Sequence, residues 1–225
     1  MCGIVGYTGY RKANEVLING LLKLEYRGYD SAGMATIEEN KIVINKEKGR
    51  VANLQNLDSV KNLSGTLGIA HTRWATHGIP SKENAHPHMD CYNTFAVVHN
   101  GIIENFSELK SFLQGNGYTF KSQTDTEVIP NLIHYYYSND SILDGFEKFL
   151  DAVKRTVDNL KGSYALEVIS SLFPNEIIVV KKDSPLVIGK GKNENFIASD
   201  IPAILQYTNE FYLLDDNEIA VITSS

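Results

Sequence analysis

From Gly162 to Ile222 the chain reads as one short apolar run after another: GSYALEVISS, EIIVVKK, PLVIGKG, NFIAS, EFYLLD and EIAVIT. Each is rich in β-branched or aromatic residues and is bounded by turn formers, which is the pattern of strands between turns. Strands this apolar must pair with one another and must then be covered. Cover is present upstream. NFSELKSFLQGNG, TDTEVIPNLIHYYYS and SILDGFEKFLDAVKRTVDNL have helical spacing, and NEVLINGLLKLEYRG sets Val16, Leu17, Gly20, Leu21 and Leu24 on one face with Gly28 as a stop. Thr124 with Glu127 predicts a capping box at the start of the second of these helices, with Pro130 in its first turn.

The remaining segments alternate in type. CGIVGYTG is a short strand, SAGMATIEE and KIVINKEKG form a hairpin around Glu39-Asn40, and VANLQNLDSVKNL returns to helical spacing. TLGIAHTRWA and TFAVVHNG are β-prone runs, each ending in a polar cluster. Strands, then helices, then strands predict an α+β layered fold, a pair of antiparallel sheets flanked by helices. No long Pro/Ser/Gly linker interrupts residues 1–225, so one domain is expected.

Bulk properties narrow the function classes. A net charge of −6 argues against a nucleic-acid partner, which normally leaves a basic patch. No apolar run approaches the roughly 20 residues of a membrane span, and the N-terminus lacks the basic and apolar regions of a signal peptide. Two cysteines, Cys2 and Cys91, do not make a disulfide framework. A reduced, cytoplasmic enzyme or binding domain is the expectation.

Four polar clusters could carry chemistry. Cys2 has only Met1 before it, so loss of Met1 would place a thiol and a free α-amine on one carbon. Such an amine, with an ordinary pKa of about 8, can act as base for its own side chain. A buried, inert thiol on an N-terminal strand is the alternative. In HTRWATHG, Arg73 offers a planar fork for a carboxylate, with Thr76 and His77 as nearby donors. The alternative is a surface arginine beside a loop tryptophan. His99-Asn100-Gly101 supplies a side-chain amide and a glycine N–H, the groups that hold an oxyanion, or else a plain Asn-Gly turn. Asp125 could bind an ammonium, or it could serve only as an acidic residue in a first helical turn. His71, His77, His86, His88 and Cys91 fall close together, but they form no CxxC or HExxH pattern, and no metal is expected.

Taken in order, CGIVGY, LEYRGYDSAG, GIAHTRWATHG, NAHPH, VVHNGIIEN, GYTFKSQTDTEVI, PLVIG and ENFIASD resemble the glutamine amidotransferase domains of the N-terminal-nucleophile class along essentially the whole chain. The YRGYDSAG and HTRWATHG spellings are closer to the hexosamine-forming branch than to the phosphoribosylamine-forming one. Gln123 stands where a glutamate is frequent. The resemblance implies a four-layer αββα sandwich and an enzyme that hydrolyses the side-chain amide of L-glutamine. Cys2 would be the nucleophile, with Asn100 and the Gly101 N–H as oxyanion hole. Arg73 would hold the α-carboxylate and Asp125 the α-ammonium. Thr76 and His77 would complete the substrate contacts, Trp74 would lie in a closing loop, and Arg27 would support the nucleophile's end of the site. It implies no cofactor and no metal. It also implies that ammonia passes to a sugar isomerase unit binding fructose 6-phosphate, in a homodimeric full-length enzyme of which this chain is the N-terminal part. The glutaminase domain of another amidotransferase of the class, and a non-catalytic glutamine-sensing module, are the alternatives.

Overall fold

The computed structural model describes residues 2–74 and 78–225. In chain order the elements are β1 (Gly3–Thr8), α1 (Ala13–Leu24), β2 (Ser31–Glu38), β3 (Lys41–Lys48), α2 (Val51–Gln55), α3 (Asp58–Lys61), β4 (Leu67–Arg73), β5 (His88–Met89) and β6 (Phe95–Ile103). There follow α4 (Phe106–Gly115), α5 (Val128–Asn139), α6 (Gly145–Asn159), β7 (Gly162–Ser170), β8 (Ile177–Lys182), β9 (Val187–Lys190), β10 (Asn195–Ala198), β11 (Glu210–Leu213) and β12 (Ile219–Ile222).

Among the described residues the strands make two sheets, ordered β11-β9-β10-β1-β4-β2-β3 and β12-β8-β7-β6-β5, with all pairings between named strands antiparallel. Three apolar clusters fix how they stack. Ile4, Ala35, Ile69, Val98, Ala165, Ile169, Val179 and Ile197 lie between the two sheets. Val5, Tyr7, Ala70 and Phe196 face outward from the first sheet, onto Val16, Leu17, Leu21 and Leu24 of α1. Phe95, Val97, Leu166, Val168 and Ile178 face outward from the second sheet, onto Ile129, Leu132, Ile133, Phe149 and Val153 of α5 and α6. Three cores between four layers make an αββα sandwich.

This stacking explains why the strands read as continuous apolar runs rather than alternating ones. Each central strand is covered on both faces, so both sets of side chains must be apolar. All six residues of β1 are buried. Leu17, Leu21 and Leu24 of α1 are fully buried, each contributing about 2 kcal/mol of transfer free energy, while Leu22 faces solvent. The hairpin of β2 and β3 turns at Glu39 and Asn40, which take φ of 50° and 60°, as the two-residue turn of such a hairpin requires.

One expected feature does not form. Thr124 and Glu127 do not make a capping box: α5 starts at Val128, and no side chain caps it. The Glu127 carboxylate turns back and accepts the N–H groups of Lys121 and Ser122 and the Ser122 hydroxyl, at 2.9, 2.7 and 2.7 Å. Three donors in the preceding loop outcompete the one N–H that a capping box would supply. That loop is thereby fixed, and Asp125 is part of it. Likewise VANLQNLDSVKNL forms two short helices, α2 and α3, rather than one.

Candidate active site

Antiparallel pairing gathers the polar clusters at one end of the sandwich. β1 pairs with β4 so that Gly3 faces Thr72, which leaves Cys2 beside Arg73 and Trp74. β2 pairs with β4 from Ser31 opposite Arg73, so Asp30 also reaches this end, its N–H donating to the Arg73 carbonyl at 2.9 Å. From the second sheet, β6 brings His99, Asn100 and Gly101. Cys2, His71, Arg73, Trp74, Gly101 and Asp125 line one small cleft, together with His86, His99, Thr124 and Thr126.

The Cys2 sulfur accepts the Trp74 N–H at 3.2 Å. Burial raises the thiol pKa, while the Trp74 N–H and the Arg73 charge pull it down. Such a thiol needs a base to become a thiolate. Asn100 donates from Nδ2 to the Cys2 carbonyl at 3.1 Å, which puts an amide donor beside the sulfur-bearing residue.

Asn100 and Gly101 are not a turn. They lie inside β6, opposite Ala165 and Tyr164 of β7. Gly101 adopts φ of 124°, and a Cβ there would fall 2.0 Å from the Ser163 carbonyl oxygen, so glycine is required. Arg73 is not a surface residue either: it is only 4% exposed, and its Nη2 donates to the Gly78 carbonyl at 3.2 Å. Asp125 lies ahead of α5 rather than in its first turn, and one of its carboxylate oxygens accepts the Ile103 N–H at 2.8 Å. That bond ties the Asp125 loop to the end of β6.

The other expected residues are placed as follows. Trp74 is about half exposed at the mouth of the cleft, edge-on to Tyr29 with ring centroids 6.1 Å apart. Arg27 ends the 3₁₀ turn after α1 and donates to Asp200 at 2.8 Å, a carboxylate that Tyr26 also binds. Asp200 follows β10, and the neighbouring Ser199 bonds Ile4 through both its Oγ and its N–H, each at 3.1 Å. Arg27 therefore clasps the segment that flanks the start of β1. Thr76 and His77 lie outside the described residues.

Sequence reasoning named the histidines beneath the cleft but not the layer they form. His71 Nε2 is 3.0 Å from Asn100 Oδ1. The His86 ring stacks on His71, with centroids 4.1 Å apart and planes at 19°. His86 accepts the His99 N–H on Nδ1 at 3.3 Å and meets Thr126 Oγ1 from Nε2 at 3.3 Å. Thr126 Oγ1 also meets His99 Nδ1 at 2.9 Å. Burial lowers the pKa of all four histidines, that of His71 to about 3 and those of His86 and His88 well below the ordinary value, so the rings are neutral. The rings stack and bond hydroxyls and amides, and among the described residues no three His, Cys, Asp or Glu side chains are grouped to hold a metal ion. Closely spaced histidines on two strand ends and the NAHPH loop were the available signal, but their spacing invites comparison only with metal patterns, which it does not match, and not with a hydrogen-bonded stack. Cys91 lies away from the cleft, its N–H bonded to the Asn131 side chain at 3.0 Å.

Comparison with known proteins agrees with this geometry. Residues 71–206 match the glutamine amidotransferase domain family. The glutamine–fructose-6-phosphate aminotransferase (isomerizing) of Clostridium perfringens is 54% identical over 224 residues, which is 100% of this chain and 35% of that protein. The protein of the same name in Pyrococcus horikoshii is 52% identical over 99% of this chain and 36% of its own length. The chain thus spans about a third of the length of these relatives. Glutamine phosphoribosylpyrophosphate amidotransferase of B. subtilis, solved with ADP and GMP, superposes with a TM-score of 0.82 at 27% identity, over 99% of this chain and 47% of that one. The chain belongs to the glutamine amidotransferase domain family, built on the four-layer sandwich of the N-terminal nucleophile enzymes.

Proposed function

We propose that this domain hydrolyses L-glutamine to glutamate and ammonia through a γ-glutamyl thioester on Cys2. With Met1 removed, the α-amine of Cys2 takes the thiol proton, directly or through a water, and the sulfur attacks the side-chain amide carbon. The oxyanion accepts hydrogen bonds from Asn100 Nδ2 and the Gly101 N–H. As the tetrahedral species collapses, the protonated amine returns its proton to the leaving nitrogen, and ammonia departs. Water then attacks the thioester, releases glutamate and restores the thiol. Arg73 holds the α-carboxylate and Asp125 the α-ammonium, so the substrate is fixed at one end while its amide meets Cys2. Thr76 and His77 complete the contacts, Trp74 covers the bound substrate, and Arg27 steadies the start of β1.

The observation that carries this reading is the 3.1 Å bond from Asn100 Nδ2, on β6 of one sheet, to the carbonyl of Cys2, which leads into β1 of the other. An oxyanion donor and a candidate nucleophile are thereby neighbours although 98 residues apart. In the longer protein, the ammonia aminates fructose 6-phosphate to glucosamine 6-phosphate, in a cytoplasmic homodimer. What supports the amination of fructose 6-phosphate is the shared name of relatives at 54% and 52% identity.

The test is ammonia release by this chain alone, with intact mass recorded before and after a glutamine-analogue electrophile. Loss of Met1 and one adduct on Cys2 are expected, and Cys2→Ala should release no ammonia. A retained Met1 in active protein, or an adduct confined to Cys91, would overturn the mechanism.

A further inference from the structure

An asparagine can hold an oxyanion only when its amide is turned the right way, and the amide itself is nearly symmetric in shape. At Asn100 one end of the amide faces the Cys2 carbonyl, which can only accept, so Nδ2 belongs there. The other end, Oδ1, then faces His71 Nε2 at 3.0 Å and needs a donor. We propose that His71 is a positioning residue: it donates an Nε2–H to Asn100 Oδ1 and so holds Nδ2 toward the nucleophile.

This inference rests on the reading of Asn100 as oxyanion donor and adds the group that orients it. His71 is only 1% exposed. Burial keeps the ring neutral, so it carries a single proton. A proton on Nδ1 would leave a bare Nε2 against Oδ1, two acceptors face to face. Nδ1 is buried and makes no well-formed hydrogen bond among the described residues; the His99 backbone is the one group that competes for the proton, and it is the weakest influence on the ring, behind the Asn100 contact. The stacked His86 ring fixes the plane of His71, and His86 is itself held by the His99 N–H and by Thr126 Oγ1. The donor is therefore rigid as well as correctly protonated. Thr126 adjoins Asp125, so one hydrogen-bonded stack connects the oxyanion side of the cleft to the loop that carries the acidic residue.

The test compares His71→Leu with His71→Gln, whose side-chain nitrogen reaches as far as Nε2. His71→Leu should lower kcat for glutamine hydrolysis about tenfold, less than the 10²–10³-fold expected for deleting an oxyanion donor outright. KM should stay within about twofold. Affinity for the γ-aldehyde of glutamate, which forms a tetrahedral adduct on Cys2, should fall by the same factor as kcat, while affinity for glutamate should not change. His71→Gln should recover activity to within about threefold of the parent. An unchanged kcat in His71→Leu, or equal impairment of both variants, would overturn the role. If His71→Leu does not fold, ¹⁵N spectra of the unmodified chain decide: a proton on His71 Nε2 is expected, and one on Nδ1 overturns it. Should the unmodified chain release no ammonia, or Cys2→Ala remain active, it is the thioester reading that fails. A normal parent, an inactive Cys2→Ala and a fully active His71→Leu remove His71 alone.

Discussion

At the scale of single residues, Cys2 shows why position in sequence does not decide reactivity. Burial raises the pKa of its thiol, whose hydrogen-bond partner among the described residues is the Trp74 backbone, an environment in which a cysteine without a base would be inert. The base in our mechanism is the amine that exists only after Met1 leaves. Chain in which Met1 is retained, by blocking the aminopeptidase during expression, should therefore lose glutamine hydrolysis by about 100-fold or more. Paired mass spectrometry and ammonia assays on the same sample would check this. Asp125 is a second case. Asp125→Asn keeps the shape and an oxygen for the Ile103 N–H but removes the negative charge. KM for glutamine should rise by roughly tenfold or more, while the rate of Cys2 alkylation by a small neutral electrophile, read by mass, stays unchanged. Both effects concern groups whose type was legible in the sequence, since thiol, guanidinium, amide and carboxylate each advertise their chemistry. What the sequence left open was the bland alternative for each, such as the Asn-Gly turn that β6 replaces with continuous strand.

At the scale of elements, the site depends on strand ends that arrive together and on backbones that approach closely. Gly33 of β2 shows how little slack there is. A Cβ on it would lie 2.1 Å from the His86 carbonyl oxygen and 3.0 Å from that of Asn45, both backbone atoms. Gly33→Ala must therefore push the His86 segment away from the sheet, and with it the ring stacked on His71. The expected outcome is a loss of about 2–4 kcal/mol in stability, in the range of overpacked cores and upward, together with lowered kcat. Chemical denaturation and glutamine turnover on the same protein measure the two. The helices and hairpins were the most legible elements, because α1 and the β2–β3 pair announce themselves by period and by turn residues. The start of α5 was misread for an identifiable reason. Glu127 had the spacing of a capping box, but three nearer donors in its own loop satisfied it first.

At the scale of the whole molecule, the space between the sheets holds one group that no hydrophobic pattern explains. Glu167 on β7 is fully buried, neither carboxylate oxygen has a hydrogen-bond partner among the described residues, and a Cβ on Gly6 of β1 would lie 2.6 Å from one of them. Burial raises its pKa well above the ordinary carboxylate value, so the folded protein holds the proton that the unfolded chain releases. Where the unfolded chain has lost this proton and the folded one has not, stability falls as pH rises, by up to about 1.4 kcal/mol per pH unit. Glu167→Met, of similar length and without charge, should remove that slope. Its Tm should exceed the parent's by more at pH 8 than at pH 5.5, and an equal difference at both would show that Glu167 is not held protonated. No sequence reading could have marked this residue, since a glutamate within a strand is ordinarily solvated and only the second sheet closes over it.

The sequence by itself determined the layer order and the chemical inventory. Period and turn chemistry are local, and the reactive groups are written in residue types. The tertiary structure alone decided which groups meet. Cys2, Arg73, Gly101 and Asp125 come from four separate stretches of chain, and only the stacking of two antiparallel sheets brings them to one cleft, with Asn100 bonded to Cys2 beside it. It also decided what the histidines are. Spacing along the chain left them without an assigned role, whereas burial between layers strips the rings of charge and leaves His71 and His86 stacked, with His71 against the amide it faces. Charge state and orientation depend on neighbours distant in sequence, and those neighbours exist only in the fold.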